Sequence, residues 1–338
     1  EKKQEAVKSP AASTSFSPKK DKVQSGLAKG AVKAAEEGLP VVNISADLAG
    51  STGMSFFHKA LPGRFIDVGV AEANMINTAI GFSKTGYIPI VDTFAQFGIT
   101  KGNLPLTMSA LSQAPVIAVF SHAGFQDAAD GASHQGLTYF AATSAIPHTV
   151  VVACSCSDEA EAFMYAAIKN LGDARKKGEE GESVLFFVGR ESYPLSWVEK
   201  DPKYIWGKAQ VMEEGTDVTI VASGATVGYA LKAAKILKDQ GKSPTVISNP
   251  FVNRPDLETI GAALNKTGGR LVTVEDHQVI GGMGSQLTHA LTLAGIPLKL
   301  KSLGVQGAFG QSAYLADELY RKHGMDQDAI VKAALALL

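Results

Sequence analysis

A chain of 338 residues has room for about two domains, each with a core of its own. With 45% hydrophobic and 19% charged residues and a formal net charge of −1, it has a globular composition, and no basic block beyond a Lys-rich N-terminus offers a surface to nucleic acid or an anionic membrane. No uninterrupted apolar stretch reaches bilayer-spanning length and the N-terminus lacks the apolar core of a secretory signal, so a cytoplasmic protein without a membrane partner is expected.

Residues 1–24 are rich in Lys, Ser, Pro and Ala, a composition that cannot offset chain entropy, and a disordered tail is expected there. From residue 25 to about 200 helix and strand signals alternate. Leu27–Glu37 reads as a helix closed by Gly38, Val41–Ala46 as a strand, and Thr52–Lys59 as a short helix. Phe65–Val70 is a β-branched run, read as a buried strand. A helix from Glu72 to about Lys84 follows, stopped by Gly86, and Tyr87–Val91 reads as the next strand. Leu104–Ser112 reads as helical. Pro115–Phe120 is almost continuously apolar, the mark of a central parallel strand. Thr149–Ala153 and Val184–Val188 are further strands, separated by a helix over Asp158–Asn170 and a polar loop over Asp173–Glu182.

A linker is placed at 194–216, where Pro194 and Pro202 interrupt any period, with the domain boundary at 200/201. Residues 201–338 repeat the alternation. Val218–Ala222, Thr245–Ser248, Leu271–Val274 and Leu298–Leu303 read as strands. Thr226–Gln240, Arg254–Asn265, Ser285–Ala294, Ser312–Lys322 and a last stretch from Asp328 read as helices. Two doubly wound α/β domains are predicted. The Gly-rich run Gly281–Ser285 can hold an anion at a helix N-terminus or serve close backbone packing. Cys154 and Cys156 have no further Cys/His cluster beside them and are expected to be small buried side chains.

Several ionisable and aromatic residues fall at the C-terminal ends of first-domain strands, where ligands bind in open α/β sheets. Asp47 and Ser51 follow one strand, Glu72 another, and Thr93, Phe94 and Phe97 a third. His122 and Arg190 end two more. On spacing alone, Glu72 reads first as a carboxylate favoured by a helix dipole. By itself the Phe94/Phe97 pair is an ordinary core pattern.

Two blocks add to the spacing. D-V-G-V-A-E-A-N-M-I-N (Asp67–Asn77) followed by D-T-F-A-Q-F (Asp92–Phe97) resembles the pyrimidine-binding domain of transketolases. S-H-A-G-F-Q-D-A-A-D-G-A-S-H-Q-G (Ser121–Gly136) resembles the substrate loop of the same family. The resemblance runs from about residue 25 to the C-terminus and covers the second half of a conventional transketolase. It implies a pyrimidine-binding thiamine diphosphate fold followed by a transketolase C-terminal domain.

The resemblance also implies roles. Glu72 matches the carboxyl group that bonds a pyrimidine ring nitrogen of thiamine diphosphate, relaying a proton through the ring as a general acid–base. Phe94 and Phe97 match the aromatic lining of the pyrimidine pocket, and Asp47 an acidic residue that shapes it. Where many transketolases carry a further aromatic, this chain has Thr100. Asp130 and His134 match residues that contact hydroxyls of a sugar donor, in D-G-A-S-H-Q where the family usually shows D-G-P-T-H-Q. Ser51, His122 and Arg190 match the holders of an acceptor phosphate. A second phosphate-binding Arg should fall near Gln24–Ser25 and is missing, so another anionic group or a neutral sugar stays open.

The G-D-G motif that binds the diphosphate and its Mg or Ca ion is absent from the sequence, so no metal ligands are assigned to this chain. The resemblance implies a split transketolase of the pentose phosphate pathway. This chain is its C-terminal subunit. An N-terminal partner subunit would hold the metal and share the cofactor. Closed two-fold symmetry predicts a homodimer of this chain within a heterotetramer. The expected reaction moves a two-carbon ketol unit from a ketose to an aldose, with sugar phosphates as substrates. Two alternatives are a 1-deoxyxylulose-phosphate synthase-like half, where A-E-Q-H would replace Ala71–Asn74, and a non-catalytic regulatory or binding module.

Overall fold

The computed structural model describes residues 19–198 and 202–338. In chain order the first domain comprises β1 (Lys20–Lys22), α1 (Val23–Glu36), β2 (Val41–Ser45), α2 (Ala49–Thr52), α3 (Ser55–Ala60), β3 (Phe65–Asp67), α4 (Glu72–Lys84), β4 (Ile88–Phe94) and α5 (Ala95–Leu111). It continues with β5 (Ile117–Ser121), α6 (Tyr139–Thr143), β6 (Thr149–Val152), α7 (Ser157–Lys176), β7 (Ser183–Phe187) and β8 (Ser192–Pro194). The second domain comprises β9 (Gln210–Glu213), β10 (Val218–Ala222), α8 (Val227–Asp239), β11 (Pro244–Ser248), α9 (Leu257–Lys266), β12 (Arg270–Gln278), α10 (Met283–Leu293), β13 (Lys299–Val305), α11 (Ala316–Lys322) and α12 (Gln327–Leu335).

The first domain is built on a six-stranded parallel sheet ordered β3-β2-β4-β5-β7-β6. Residues on both faces are buried, which is why its strands read as continuous apolar runs. The order reverses between β2 and β4, and a crevice opens at such a switch point beyond the carboxyl ends of the strands. The second sheet is ordered β13-β12-β10-β11-β9, with β9 antiparallel to β11.

The structure corrects four sequence expectations. The ordered domain starts before residue 25, because Lys20–Lys22 pair antiparallel with Ser192–Pro194 and α1 begins at Val23. The rest of the tail, 1–18, lies outside the described residues, as does the boundary at 200/201. The linker is shorter than 194–216, since Gln210–Glu213 form an edge strand with no apolar run to announce them. Strand β3 ends at Asp67 rather than Val70, and α5 starts at Ala95 rather than near Leu104. Gly98, Gly102 and Pro105 break the periodic signal of α5, which tertiary packing nevertheless holds as a helix. Among the described residues no helix is long and apolar enough to cross a membrane.

Helix α1 lies against α7 at backbone distance. A Cβ on Gly26 would fall 1.9 Å from the carbonyl oxygen of Ser157, and one on Gly30 would fall 2.5 Å from that of Glu161. Gly26→Ala is expected to destabilise the chain by about 1–3 kcal/mol, because overpacking outweighs the roughly 1 kcal/mol gain in helix propensity. Urea unfolding checks this; a more stable variant would show that the two helices can separate at little cost.

The domains share a core. Segment 250–253 covers the outer edge of β6, with Ala153 N donating to Pro250 O (2.9 Å), Val252 N to Val151 O (2.9 Å) and Val151 N to Asn253 Oδ1 (3.0 Å). An otherwise open sheet edge is thereby paired. Beside it, Phe140 stacks on His277 at 5.0 Å and Tyr139 packs on Phe187 at 4.7 Å.

Candidate functional site

The parallel sheet carries its candidate residues to one edge. Residue pairs Ser45/Asp92, Phe94/Ser121 and Phe120/Phe187 are in register, so the carboxyl ends of β2, β4, β5 and β7 lie level. Four strand spacings separate β3 from β7, roughly 19 Å at about 4.8 Å each, enough for an elongated ligand.

At the β4–β5 centre stands a row of rings. Phe94 stacks on His122 at 4.0 Å and on Phe97 at 6.4 Å, and Phe97 meets His134 edge-on at 5.1 Å. Both phenyl rings are half-buried, leaving apolar faces on which a flat heteroaromatic ring can stack. His122 follows β5 with φ +57°, a left-handed backbone that turns its imidazole back over Phe94. Its Nδ1 lies 2.9 Å from Ser121 Oγ.

On the β7 side, Arg190 Nη1 bonds Asp127 Oδ1 at 3.1 Å and approaches Asp130 Oδ2 at 3.6 Å. Its Nε and Nη2 take no acceptor among the described residues, so one edge of the guanidinium fork is open to an oxyanion. Burial and the neighbouring Asp130 push the Asp127 carboxyl well above the usual range. Ser51 lies on α2 and lines a cavity of about 300 Å³ with Lys22, Gln24, Ser25 and Lys59. The two lysines supply cations on the side where the expected arginine is missing.

On the β3 side, Glu72 is the first residue of α4 and is 8% exposed. Its carboxylate takes no hydrogen bond from any described residue, and it stands in the first turn of α4, where the positive helix end favours a negative charge. The residue is mostly buried while its carboxylate oxygens stay accessible without a donor, an arrangement that fits a ligand bringing its own N–H. Asp47 is exposed, with φ +62°, and its backbone N–H is held by Asp67 Oδ1 at 3.1 Å. The structure thus joins Phe94, Phe97, His122 and His134 through ring contacts, and Arg190 to Asp127 and Asp130 through ion pairs, as two neighbouring groups. Glu72, Asp47 and Ser51 share the same edge with no hydrogen bond or ion pair to either group among the described residues.

Two carboxylates that spacing did not single out organise this edge. Asp92, two residues before Phe94 on β4, is fully buried. It accepts from Asn43 Nδ2 (2.8 Å), Ser45 Oγ (2.9 Å) and Thr52 Oγ1 (2.7 Å), tying β4 to β2 and α2, while burial pushes its pKa up to about 6. Asp127 sets Arg190. Both stand inside blocks quoted above, but a buried hydrogen-bond hub leaves no periodic trace in a sequence. The Gly-rich run at α10 binds an internal carboxyl group. Met283 N and Gly284 N both donate to the buried Glu275 carboxylate, which burial pushes up to about 8. Cys154 and Cys156 are buried free thiols.

Burial, then Arg190, pushes the His122 imidazole down to about 4. It therefore stays neutral where the unfolded chain, with an ordinary histidine pKa near 6.5, binds a proton. Its contribution to stability is full above about pH 6.5 and is lost as pH falls toward 4. Buried Asp92 and Glu275 titrate in the opposite sense, so the comparison with His122→Asn isolates the effect. The stability advantage of the parent chain is expected to shrink between pH 6.5 and 4, and the His122 ring resonances to stay constant from pH 8 to 5. Titration near 6.5 would show a solvated ring.

Comparison with known proteins places this geometry in a family. The transketolase pyrimidine-binding domain matches residues 22–176 and the transketolase C-terminal domain residues 207–330. The "Putative transketolase C-terminal section" of Methanocaldococcus jannaschii is 34% identical over 294 residues, 86% of this chain and 88% of that protein. Transketolase-like protein 2 of Homo sapiens is 32% identical over 80% of this chain, and the 1-deoxy-D-xylulose-5-phosphate synthase of Heliobacterium modesticaldum 28% identical over 90%. The chain spans less than half the length of these last two, 44% and 45%. A solved structure titled split gene transketolase, inactive beta4 tetramer, superposes with a TM-score of 0.81 at 30% identity, covering 94% of this chain and 98% of its own.

Proposed function

Since the chain belongs to the transketolase family and carries its pyrimidine-binding and C-terminal domains, we propose that it is the C-terminal subunit of a split transketolase that moves a two-carbon ketol unit between sugar phosphates. The observation that carries this reading is the single sheet edge. The carboxylate of a mostly buried glutamate, without a donor, stands toward one end, stacked rings at the centre, and an open guanidinium edge at the other.

Thiamine diphosphate, when bound, supplies the carbanion chemistry. Glu72 would hold a proton against a pyrimidine ring nitrogen, and Phe94 and Phe97 would take the ring on their faces, with Asp47 at the pocket rim. His134 and Asp130 would orient the donor's hydroxyls from their loop. His122, neutral and fixed by Ser121, would offer a hydrogen bond rather than a charge. The acceptor phosphate would rest on Arg190 and Ser51, with Lys22 and Lys59 in the adjoining cavity. An N-terminal partner would contribute the diphosphate and metal site.

The direct test is to mix the chain with an N-terminal transketolase subunit that carries the diphosphate and metal site, and assay ketol transfer from a ketose to an aldose phosphate. The synthase relatives make release of carbon dioxide from pyruvate the competing result, which would move the assignment to that reaction. If Arg190 clamps phosphate, Arg190→Ala raises KM for phosphorylated aldoses by roughly 10- to 100-fold, matching about 1.5–3 kcal/mol for a charge-assisted bond. Unphosphorylated aldoses should change little. Equal losses with both acceptors would mark Arg190 as a structural partner of Asp127.

A further inference from the structure

The loop between β5 and α6 carries Asp130 and His134, yet much of what shapes it lies in the second domain. Asp276 on β12 is 5% exposed, and both of its carboxylate oxygens receive the backbone N–H of Phe125, at 2.9 and 3.0 Å. Its Oδ2 also accepts from Tyr320 Oη at 2.6 Å, and its backbone oxygen accepts from Tyr139 Oη at 2.7 Å. Two residues on, Gln278 N donates to Leu137 O at 2.9 Å. From the other side, Ala313 N donates to Ala128 O (3.0 Å), and Gln135 Nε2 donates to Gln311 O (3.0 Å). The second domain thus grips the loop at 125, 128, 135 and 137, on both flanks of Asp130 and His134.

The grip is tight enough to dictate sequence. Gly124 has φ +66°, and a Cβ there would fall 2.2 Å from the Asp276 carboxyl carbon. Only glycine admits both that backbone and that approach. Gly124 is two residues beyond His122, so a displaced Phe125 amide would be felt along the whole row of rings.

We propose that the C-terminal domain positions the substrate loop, with Asp276 as the principal positioning residue. For its effect on turnover this rests on the ketol-transfer reading, in which Asp130 and His134 meet the donor. The positioning itself does not. Two donors, the Phe125 amide and the Tyr320 hydroxyl, converge on the Asp276 carboxylate, and the Tyr139 hydroxyl takes the backbone oxygen of the same residue, so the loop is fixed as a unit rather than by a single removable bond. The domain is therefore more than an assembly surface.

The test uses the full chain, alone and with its partner. In Asp276→Ala, amides of residues 124–137 are expected to exchange with deuterium about tenfold or more faster, while β4 and β10 keep parental rates. Asp276→Asn, which keeps an oxygen acceptor for Phe125, should show a smaller change. Gly124→Ala should reproduce the loop effect from the other side of the contact, and covers the case in which Asp276→Ala does not fold. In the complex, KM for the donor ketose should rise about tenfold with KM for the acceptor nearly constant, as loss of a loop-fixing hydrogen bond would give. Parental exchange in the loop of both Asp276→Ala and Gly124→Ala would overturn the proposal. So would acceleration spread evenly over the second domain, which marks a purely structural residue. Faster loop exchange in a complex that never transfers a ketol unit would leave the positioning standing and count against the reaction.

Discussion

Replacing Glu72 by glutamine is expected to lower turnover of the assembled enzyme by about 100- to 10,000-fold while leaving the fold intact. The amide has the shape of the carboxyl group and fits the same buried place at the start of α4. What it cannot do is hold and return a proton at a ring nitrogen. Loss of the charge beside the helix N-terminus should cost only about 0.3–1 kcal/mol of stability. A large drop in kcat with an almost unchanged unfolding midpoint is thus the expected pair of results. Turnover near that of the parent would reduce Glu72 to a helix-dipole carboxylate.

The second large effect concerns the chain alone. Thiamine diphosphate and magnesium without the partner are expected to give no turnover, and addition of the partner to restore it. This chain offers the ring two phenyl faces and one carboxyl group, but its sequence has no G-D-G to hold the diphosphate and metal. Stacking of about 1 kcal/mol and one hydrogen bond fall short of the several kcal/mol that association entropy opposes. Calorimetry of the isolated chain with the cofactor should therefore register weak binding at most. Tight, magnesium-dependent binding with turnover by this chain alone would falsify the split-subunit reading.

The parallel strands were legible because burial on both faces writes long apolar runs, as in Ile117–Ser121 and Val218–Ala222. The strand-end residues followed from those strands, since a side chain one or two positions past a strand lands on the sheet edge wherever the sheet goes. Pairings between distant segments left no comparable mark. Lys20–Lys22 form a strand only because Ser192–Pro194 come alongside, and Gln210–Glu213 only because β11 presents a free edge. The role of Asp276 was hidden for the same reason. Its partners, Phe125 and Tyr320, stand 151 and 44 residues away. Nothing in E-D-H at 275–277 says which of its acidic groups faces a neighbouring domain.

The connection between the domains is anchored along its described length. β8 is paired to β1, and Trp197 Nε1 donates to Ser155 O at 3.1 Å. Tyr204 Oη lies 2.8 Å from Ser196 Oγ, Trp206 packs edge-on against Phe251 at 5.1 Å, and β9 is sewn into the second sheet. A chain wired in this way would meet the proposed partner with the angle between its halves already set. Little internal freedom is left to freeze on docking, so the heat capacity of association should scale with the surface covered and carry no excess from coupled folding. An excess would mean that the halves swing freely until the partner arrives.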